Sequence, residues 1–79
     1  MKVHLRLLGT LPDYYPGDYP ETGLDLDVPA GITVGELADL VQMPRERISI
    51  VSVNGFLAKA DDKVPENGVV KFLQSLHGG

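Results

Sequence analysis

The chain has 79 residues and should form one domain with a modest core, because a chain this short buries only about 60% of the surface it exposes when unfolded. It contains no cysteine, which excludes disulfides, iron–sulfur ligation and a cysteine nucleophile. Eleven acidic and seven basic residues give a net charge of −4. Nucleic acid is therefore a poor candidate partner, since phosphate binding needs clustered Lys and Arg, and a basic protein surface is a better one.

The first residues predict a β-strand. Apolar residues alternate with His4 and Arg6 between Lys2 and Leu8, which is the pattern of a strand with one buried face. The charged side chains leave no uninterrupted apolar stretch for a signal peptide or a membrane span. We therefore expect a cytoplasmic protein that has no membrane partner.

A long loop and a second strand should follow. Residues 9–23 contain three prolines and three glycines, which predicts a surface loop. Apolar and acidic residues then alternate over Gly23–Val28. This second strand is expected to pair with the first as an antiparallel hairpin.

The pattern then changes to that of a helix. Thr33 is a good N-cap and Glu36 stands three residues later, which together form a capping box. Apolar residues follow at helical spacing. The helix should end by Met43, because the proline at position 44 disfavours helical backbone in the residue before it.

Three more strands complete the predicted sheet. Ile48–Val53 is rich in β-branched residues and leads into Asn54-Gly55, a strong signal for a type I′ hairpin turn. Phe56–Ala58 should be the return strand, and Val69–Leu73 the last strand.

This order of elements predicts an α+β protein with the β-grasp (ubiquitin-like) fold, in which a mixed sheet of four to five strands packs on one helix. The predicted domain covers residues 1–73, and residues 74–79 form a flexible C-terminal tail that ends in Gly-Gly. One amphipathic helix covers only one face of a small sheet, so the other face is left to solvent or to a partner.

Four segments stand in the order and at roughly the spacing of a known family. They are VHLRLLGTL, VPAGITVGELADLV, MPRERISIVSVNG and the terminal Gly-Gly. With them the chain resembles, over nearly its whole length, the MoaD/ThiS family of ubiquitin-like sulfur carriers. That family includes the small subunit of molybdopterin synthase and the carrier of the thiamin pathway.

The resemblance implies a protein cosubstrate and not an enzyme. An adenylating enzyme of the ubiquitin-activating type would use ATP to activate the C-terminal carboxylate of Gly79, and a sulfur donor protein would supply the sulfur of a terminal thiocarboxylate. That sulfur would serve cofactor biosynthesis, with the molybdopterin or tungstopterin branch favoured over thiamin. Gly78 lacks a Cβ and would let the end thread a narrow channel. No bound cofactor is expected, because the partner uses the ATP.

Partner contacts are expected on the sheet face away from the helix. Strand alternation sends Leu8, Leu57 and Leu73 outward, and by position they match the apolar contacts of the family with its activating enzyme and, in the molybdopterin branch, with a synthase large subunit. Leu76 and His77, close to the reacting end, are assigned to the same contact. The alternative is that the three strand residues only form the rim of the core.

Other functions and sites compete with this interpretation. The same activated Gly79 would join a ubiquitin-like modifier to lysines of target proteins, and a non-catalytic β-grasp binding module would need no terminal chemistry. An independent enzyme is disfavoured, because the sequence offers no nucleophile with a placed base. No metal site is expected, since His4 and His77 lack a third ligand at a suitable spacing.

Overall fold

A computed structural model describes residues 1–74, which form a single sheet covered on one face by one helix. The strands are β1 (Lys2–Leu7), β2 (Leu24–Asp27), β3 (Ile48–Val53), β4 (Phe56–Ala58) and β5 (Val69–Gln74), and the helix is α1 (Val34–Leu40). A short 3₁₀ helix, Leu11–Tyr14, lies between β1 and β2, and a second one, Arg45–Arg47, directly precedes β3. The predicted order of strands and helix is confirmed.

The sheet is mixed, and its strand order places β5 in the middle. The order is β2-β1-β5-β3-β4, in which β1 and β5 are parallel and every other neighbouring pair is antiparallel. Parallel strands need a crossover, which the intervening chain with α1 supplies. The β-grasp prediction is therefore correct, and the last strand ends beside the end of the first.

The core lies between α1 and the covered face of the sheet. Alternation in β1 and β5 buries one side of each strand, as the period of two predicts. The largest fully buried side chains are Phe72, Leu5, Leu11, Leu37 and Val70. Burial of each large apolar side chain of this kind stabilises the fold by roughly 1.5–3 kcal/mol.

The predicted capping box is present at the start of α1. The Glu36 amide donates to Thr33 Oγ1 at 3.2 Å, and the Thr33 amide donates to Glu36 Oε1 at 2.9 Å. These bonds satisfy amides that the first turn of a helix leaves without partners. They also hold the pKa of the Glu36 carboxyl below its ordinary value of 4.5, because an anion accepts the Thr33 backbone bond better than a neutral acid does.

The predicted β3–β4 turn also has the expected geometry. Asn54 and Gly55 both have positive φ, at 52° and 87°. A type I′ turn requires this at both central positions. Val53 accordingly stands opposite Phe56 in the hairpin register.

The predicted surface loop after β1 differs from expectation at its beginning. β1 ends at Leu7 and not at Leu8, and the chain turns at Gly9 with φ 67°. Leu11 in the following 3₁₀ helix is fully buried. Tyr19, further along the loop, accepts a hydrogen bond from the Leu7 amide at 2.8 Å. The loop therefore closes one end of the core, which its proline and glycine content did not indicate.

β5 runs one residue past the predicted domain limit at residue 73. Gln74, expected at the start of the tail, pairs with Ile48 of β3, and its side chain accepts a hydrogen bond from the Thr10 amide. These contacts assign Gln74 to the folded domain. The remainder of the predicted tail, residues 75–79, lies outside the described residues.

Candidate functional site

The sheet face opposite α1, called the open face below, brings together alternate residues of all five strands. The strand register fixes its composition: in one row Arg6, Lys71, Ser52 and Leu57 stand side by side across β1, β5, β3 and β4. The adjacent rows contain His4 with Val69, and Leu73 with Ile50. Asp25 and Asp27 of β2 complete the face.

In the β1–β2 part of the open face, both acids of β2 have a basic neighbour on β1. Lys2 Nζ lies 2.9 Å from Asp27 Oδ2, and His4 Nδ1 lies 2.7 Å from Asp25 Oδ1. The hydrogen bond from Lys2 lowers the pKa of the Asp27 carboxyl from its ordinary value of 3.8. Both acids of β2 on this face therefore already have a cationic or hydrogen-bonding neighbour.

The β5–β3–β4 part of the open face carries several exposed apolar side chains. Leu57 is 82% exposed and Ile50 is 48% exposed. Leu73 is partly buried, and together with Leu8, Gly9 and Gln74 it lines a cleft of about 220 Å³ at the end of β5. Several apolar side chains on one surface are typical of a protein interface, whereas single exposed ones are ordinary.

Two basic side chains lie among these apolar residues. Arg6 and Lys71 are neighbours across β1 and β5, and neither forms an ion pair within residues 1–74. Arg6 Nε is buried and has no hydrogen-bond partner there. The middle of the open face is therefore basic although the chain as a whole carries −4. This local charge is opposite in sign to the net charge, from which a basic partner surface was expected.

The three predicted contact residues that the structure describes do not all lie together. Leu8 and Leu73 meet in the cleft, whereas Leu57 lies two strands away on β4. Ile50 joins the two places, because it pairs with Leu73 and belongs to the same face as Leu57. Leu76, His77, Gly78 and Gly79 lie outside the described residues.

Sequence reasoning missed Ile50 and the exposure of Phe56. A register shift between Ile48 and Ile50 interrupts the alternation of β3, so its run of β-branched residues did not show which ones face outward. Phe56 shares the helix side of the sheet with Val53, yet it is 78% exposed. It lies on an edge strand where α1 does not cover the sheet, and strand periodicity alone could not reveal that.

The end of β5 is held by the turn after β1. The Thr10 amide donates to Gln74 Oε1 at 2.7 Å, and the Thr10 hydroxyl donates to the same oxygen. Gly9 approaches the Gln74 side chain so closely that an added Cβ would lie 2.9 Å from Gln74 Cδ. The last described residue therefore has a defined position next to the Leu8–Leu73 cleft.

Residues 1–74 contain neither a cluster of metal ligands nor a membrane-spanning helix. No group of three or more His, Asp or Glu side chains is arranged there to hold a metal ion. That part of the chain also has no helix with the length and apolarity needed to cross a bilayer.

Comparison with solved structures identifies the fold. SAMP1, small archaeal modifier protein 1 of Haloferax volcanii, superposes with a TM-score of 0.72 at 17% identity, with all of both chains covered. A Pyrococcus furiosus protein assigned as molybdopterin converting factor subunit 1 gives 0.71 at 15% identity, covering 95% of this chain and 98% of the other. Urm1 of Trypanosoma brucei gives 0.67 at 20% identity, covering 99% and 95%.

The chain therefore has the ubiquitin-like β-grasp fold. Its structural neighbours include a small archaeal modifier protein and a protein assigned as a subunit of a molybdopterin converting factor, so the resemblance to ubiquitin-like sulfur carriers is confirmed at the level of fold. No protein-family model and no curated protein sequence matches the chain.

Proposed function

We propose that this chain is a sulfur carrier whose C-terminal glycine, Gly79, is activated by a partner enzyme and converted to a thiocarboxylate. The observation that supports this most is the position of β5 relative to the end of the chain. β5 is described as far as Gln74, and the five residues that follow it in the sequence end in Gly78-Gly79. Five residues reach at most about 17 Å, enough to enter a neighbouring active site while the domain stays outside.

The chemistry needs two steps, because a carboxylate anion with a pKa of about 3.3–3.7 is a poor electrophile at neutral pH. In the first step a carboxylate oxygen of Gly79 attacks the α-phosphate of ATP, which forms an acyl adenylate and releases pyrophosphate. In the second step a sulfur nucleophile from a donor protein attacks the Gly79 carbonyl carbon. AMP leaves with the electron pair of the broken C–O bond, so that a persulfide nucleophile leaves an acyl disulfide on Gly79. A second thiol of the donor protein then attacks the donor's own sulfur in this acyl disulfide, which releases the thiocarboxylate of Gly79 and leaves a disulfide on the donor.

The glycines suit this reaction for a steric reason. Neither Gly78 nor Gly79 has a Cβ, so the end fits a narrow channel and adopts backbone angles that other residues avoid. The adenylating enzyme supplies the ATP site and the catalytic groups. This chain would act as a protein cosubstrate in the cytoplasm, and no cofactor of its own is required.

The open face would dock on the activating enzyme. Ile50, Leu57 and the Leu8–Leu73 cleft offer apolar contact, and the basic pair formed by Arg6 and Lys71 selects an acidic surface. The cleft lies beside the last described residue of β5. Docking here would therefore bring the terminus close to the partner. In the molybdopterin or tungstopterin branch, which we favour over thiamin, a synthase large subunit would use the same face.

ATP–pyrophosphate exchange tests the first step. The full chain, incubated with ATP, labelled pyrophosphate and an adenylating enzyme from the same cell, should support exchange. A chain lacking Gly79 should not. Equal exchange with and without Gly79 would contradict the proposal, because the adenylate would then form elsewhere.

A protein modifier is the second candidate function, favoured by the structural likeness to small archaeal modifier protein 1. The activated Gly79 would then be attacked by lysine amines of target proteins. Lysates that contain the tagged chain should show a ladder of conjugates that disappears on deletion of Gly79, whereas a dedicated carrier gives none. A non-catalytic binding module would keep its function after the same deletion.

A further inference from the structure

The end of β5 is fixed by contacts whose role the sulfur-carrier proposal leaves open. Both donors of Thr10, its amide and its hydroxyl, converge on one oxygen of Gln74. The two residues are 64 positions apart in sequence, so this contact joins the turn after β1 to the last residue before the terminal segment. We call Gly9, Thr10 and Gln74 the tail root.

Gly9 is adapted to this contact in two ways. Its φ of 67° is strained for residues with a Cβ, and a Cβ there would lie 2.9 Å from Gln74 Cδ. Either feature alone has an ordinary explanation in a turn. Together they show that the backbone at position 9 leaves room for the Gln74 side chain.

The donor side of the tail root is itself held in place. Thr10 leads into the 3₁₀ helix Leu11–Tyr14, whose first residue is fully buried in the core. The Tyr14 ring lies 5.4 Å from the guanidinium carbon of Arg47, which precedes β3. Because β1 and β3 flank β5, this segment spans the end of β5 and is fixed on both sides.

We propose that Gln74 is a positioning residue, which holds the start of the terminal segment at a fixed point and direction through its bonds with Thr10. This role depends on the proposed sulfur-carrier function. Gly79, which bears the reacting carboxylate, is the fifth residue after Gln74, so a fixed start should lower the entropic cost of placing the terminus in the partner's active site. Gln74 touches no reacting atom and acts only through the residues that follow it.

The role predicts a specific kinetic signature. In ATP–pyrophosphate exchange, Gln74→Ala should raise KM for the carrier about five- to tenfold, the effect of losing one or two hydrogen bonds. The value of kcat should not change, because once the end is inserted the partner's channel sets its position. Gln74→Glu keeps the oxygen that accepts from Thr10 and should restore KM to within about twofold of the wild-type value.

Two controls separate positioning from stability. Glu66→Ala removes a side chain of similar length from the exposed loop before β5 and should change neither KM nor kcat. Thr10→Val removes the hydroxyl donor and keeps the amide, so its KM should lie between those of the wild type and Gln74→Ala. It also serves as the second test if Gln74→Ala unfolds at the assay temperature.

The outcomes distinguish the two proposals. An unchanged KM for Gln74→Ala, or a Gln74→Glu variant as impaired as Gln74→Ala, would overturn the positioning role while the wild-type exchange still supports the carrier. No exchange with the wild-type chain would overturn both. A raised KM that Gln74→Glu rescues would support the role of the tail root.

Discussion

Glycine at position 9 is the residue on which the geometry of the tail root most depends. Gly31 also has a positive φ, at 83°, but a Cβ there would meet nothing within 4 Å. Both glycines therefore have a backbone conformation that would strain a residue with a Cβ, and they differ in the space around them. This difference allows the steric contribution to be measured separately.

We expect Gly9→Ala to destabilise the protein more than Gly31→Ala does. Each change costs about 1–2 kcal/mol for left-handed backbone, and Gly9→Ala adds the clash with Gln74. Urea unfolding of both variants measures the difference. Adding Gln74→Ala to Gly9→Ala should remove the extra cost. Equal losses of unfolding free energy in the two single variants would contradict this prediction, because the Gln74 side chain would then move aside at no cost in stability.

A second residue-scale prediction concerns the dependence of stability on pH. The folded pKa of Glu36 lies below its ordinary value of 4.5, so the unfolded chain binds this proton more readily. The stabilisation is therefore present above pH 4.5 and is lost as pH falls through the folded pKa. Glu36→Gln keeps a cap acceptor without the charge, so its melting temperature should fall less than that of the wild type between pH 7 and pH 3.

Glu66→Gln is the matched control for this measurement, since the Glu66 carboxylate caps no helix. It should keep the wild-type pH dependence. If Glu36→Gln and the wild type lost the same stability on acidification, the capping box would not be the source of the effect.

Hydrogen bonds between residues that are close in the sequence were predictable, whereas hydrogen bonds between distant residues were not. Thr33 and Glu36 lie three residues apart, so their reciprocal hydrogen bonds follow from a motif within one helical turn. Asn54-Gly55 specified its turn for the same reason. The contact of Thr10 with Gln74 depends on the parallel pairing of β1 and β5, which no short motif encodes.

At the scale of elements, the β3–β4 hairpin places one large apolar residue on each side of the sheet. Phe56 and Leu57 are similarly exposed, and the pleat of β4 points them to opposite faces. A substitution of Phe56 is therefore a matched control for a substitution of Leu57 in a test of docking through the open face.

We predict that Leu57→Ser raises KM for the carrier in pyrophosphate exchange by up to about tenfold, as for a central apolar contact of an interface. Phe56→Ser should leave KM unchanged. Both variants should retain their unfolding free energy within about 0.5 kcal/mol, because neither side chain is in the core. A larger effect from Phe56→Ser than from Leu57→Ser would mean that the partner contacts the helix side of the sheet, which would contradict docking on the open face.

The strands and the helix could be predicted because their periods of two and 3.6 are present in the sequence. The composition of the open face could be predicted only in part. Leu57 and Leu73 followed from alternation, whereas Ile50 was hidden by the irregularity in β3. The basic pair, Arg6 and Lys71, required knowledge of which strands are neighbours.

At the scale of the whole molecule, folding and function should be separable. Within residues 1–74 the buried core extends from Val3 to Phe72, and a glycine has no side chain with which to extend it. Deletion of Gly78-Gly79 should leave the unfolding free energy within about 0.5 kcal/mol of the full chain, while adenylation is lost. A large loss of stability in thermal unfolding would mean that the terminus is packed, contrary to the carrier account.

The most direct test of the sulfur-carrier function is the intact mass of the protein after incubation with ATP, a sulfide source and an adenylating enzyme from the same cell. We expect a gain equal to the exchange of one oxygen for one sulfur, which fragmentation assigns to Gly79 and which is absent without ATP. A folded chain with an intact terminus that never gains this mass, with any such enzyme, would contradict the sulfur-carrier function and leave the modifier and the binding module.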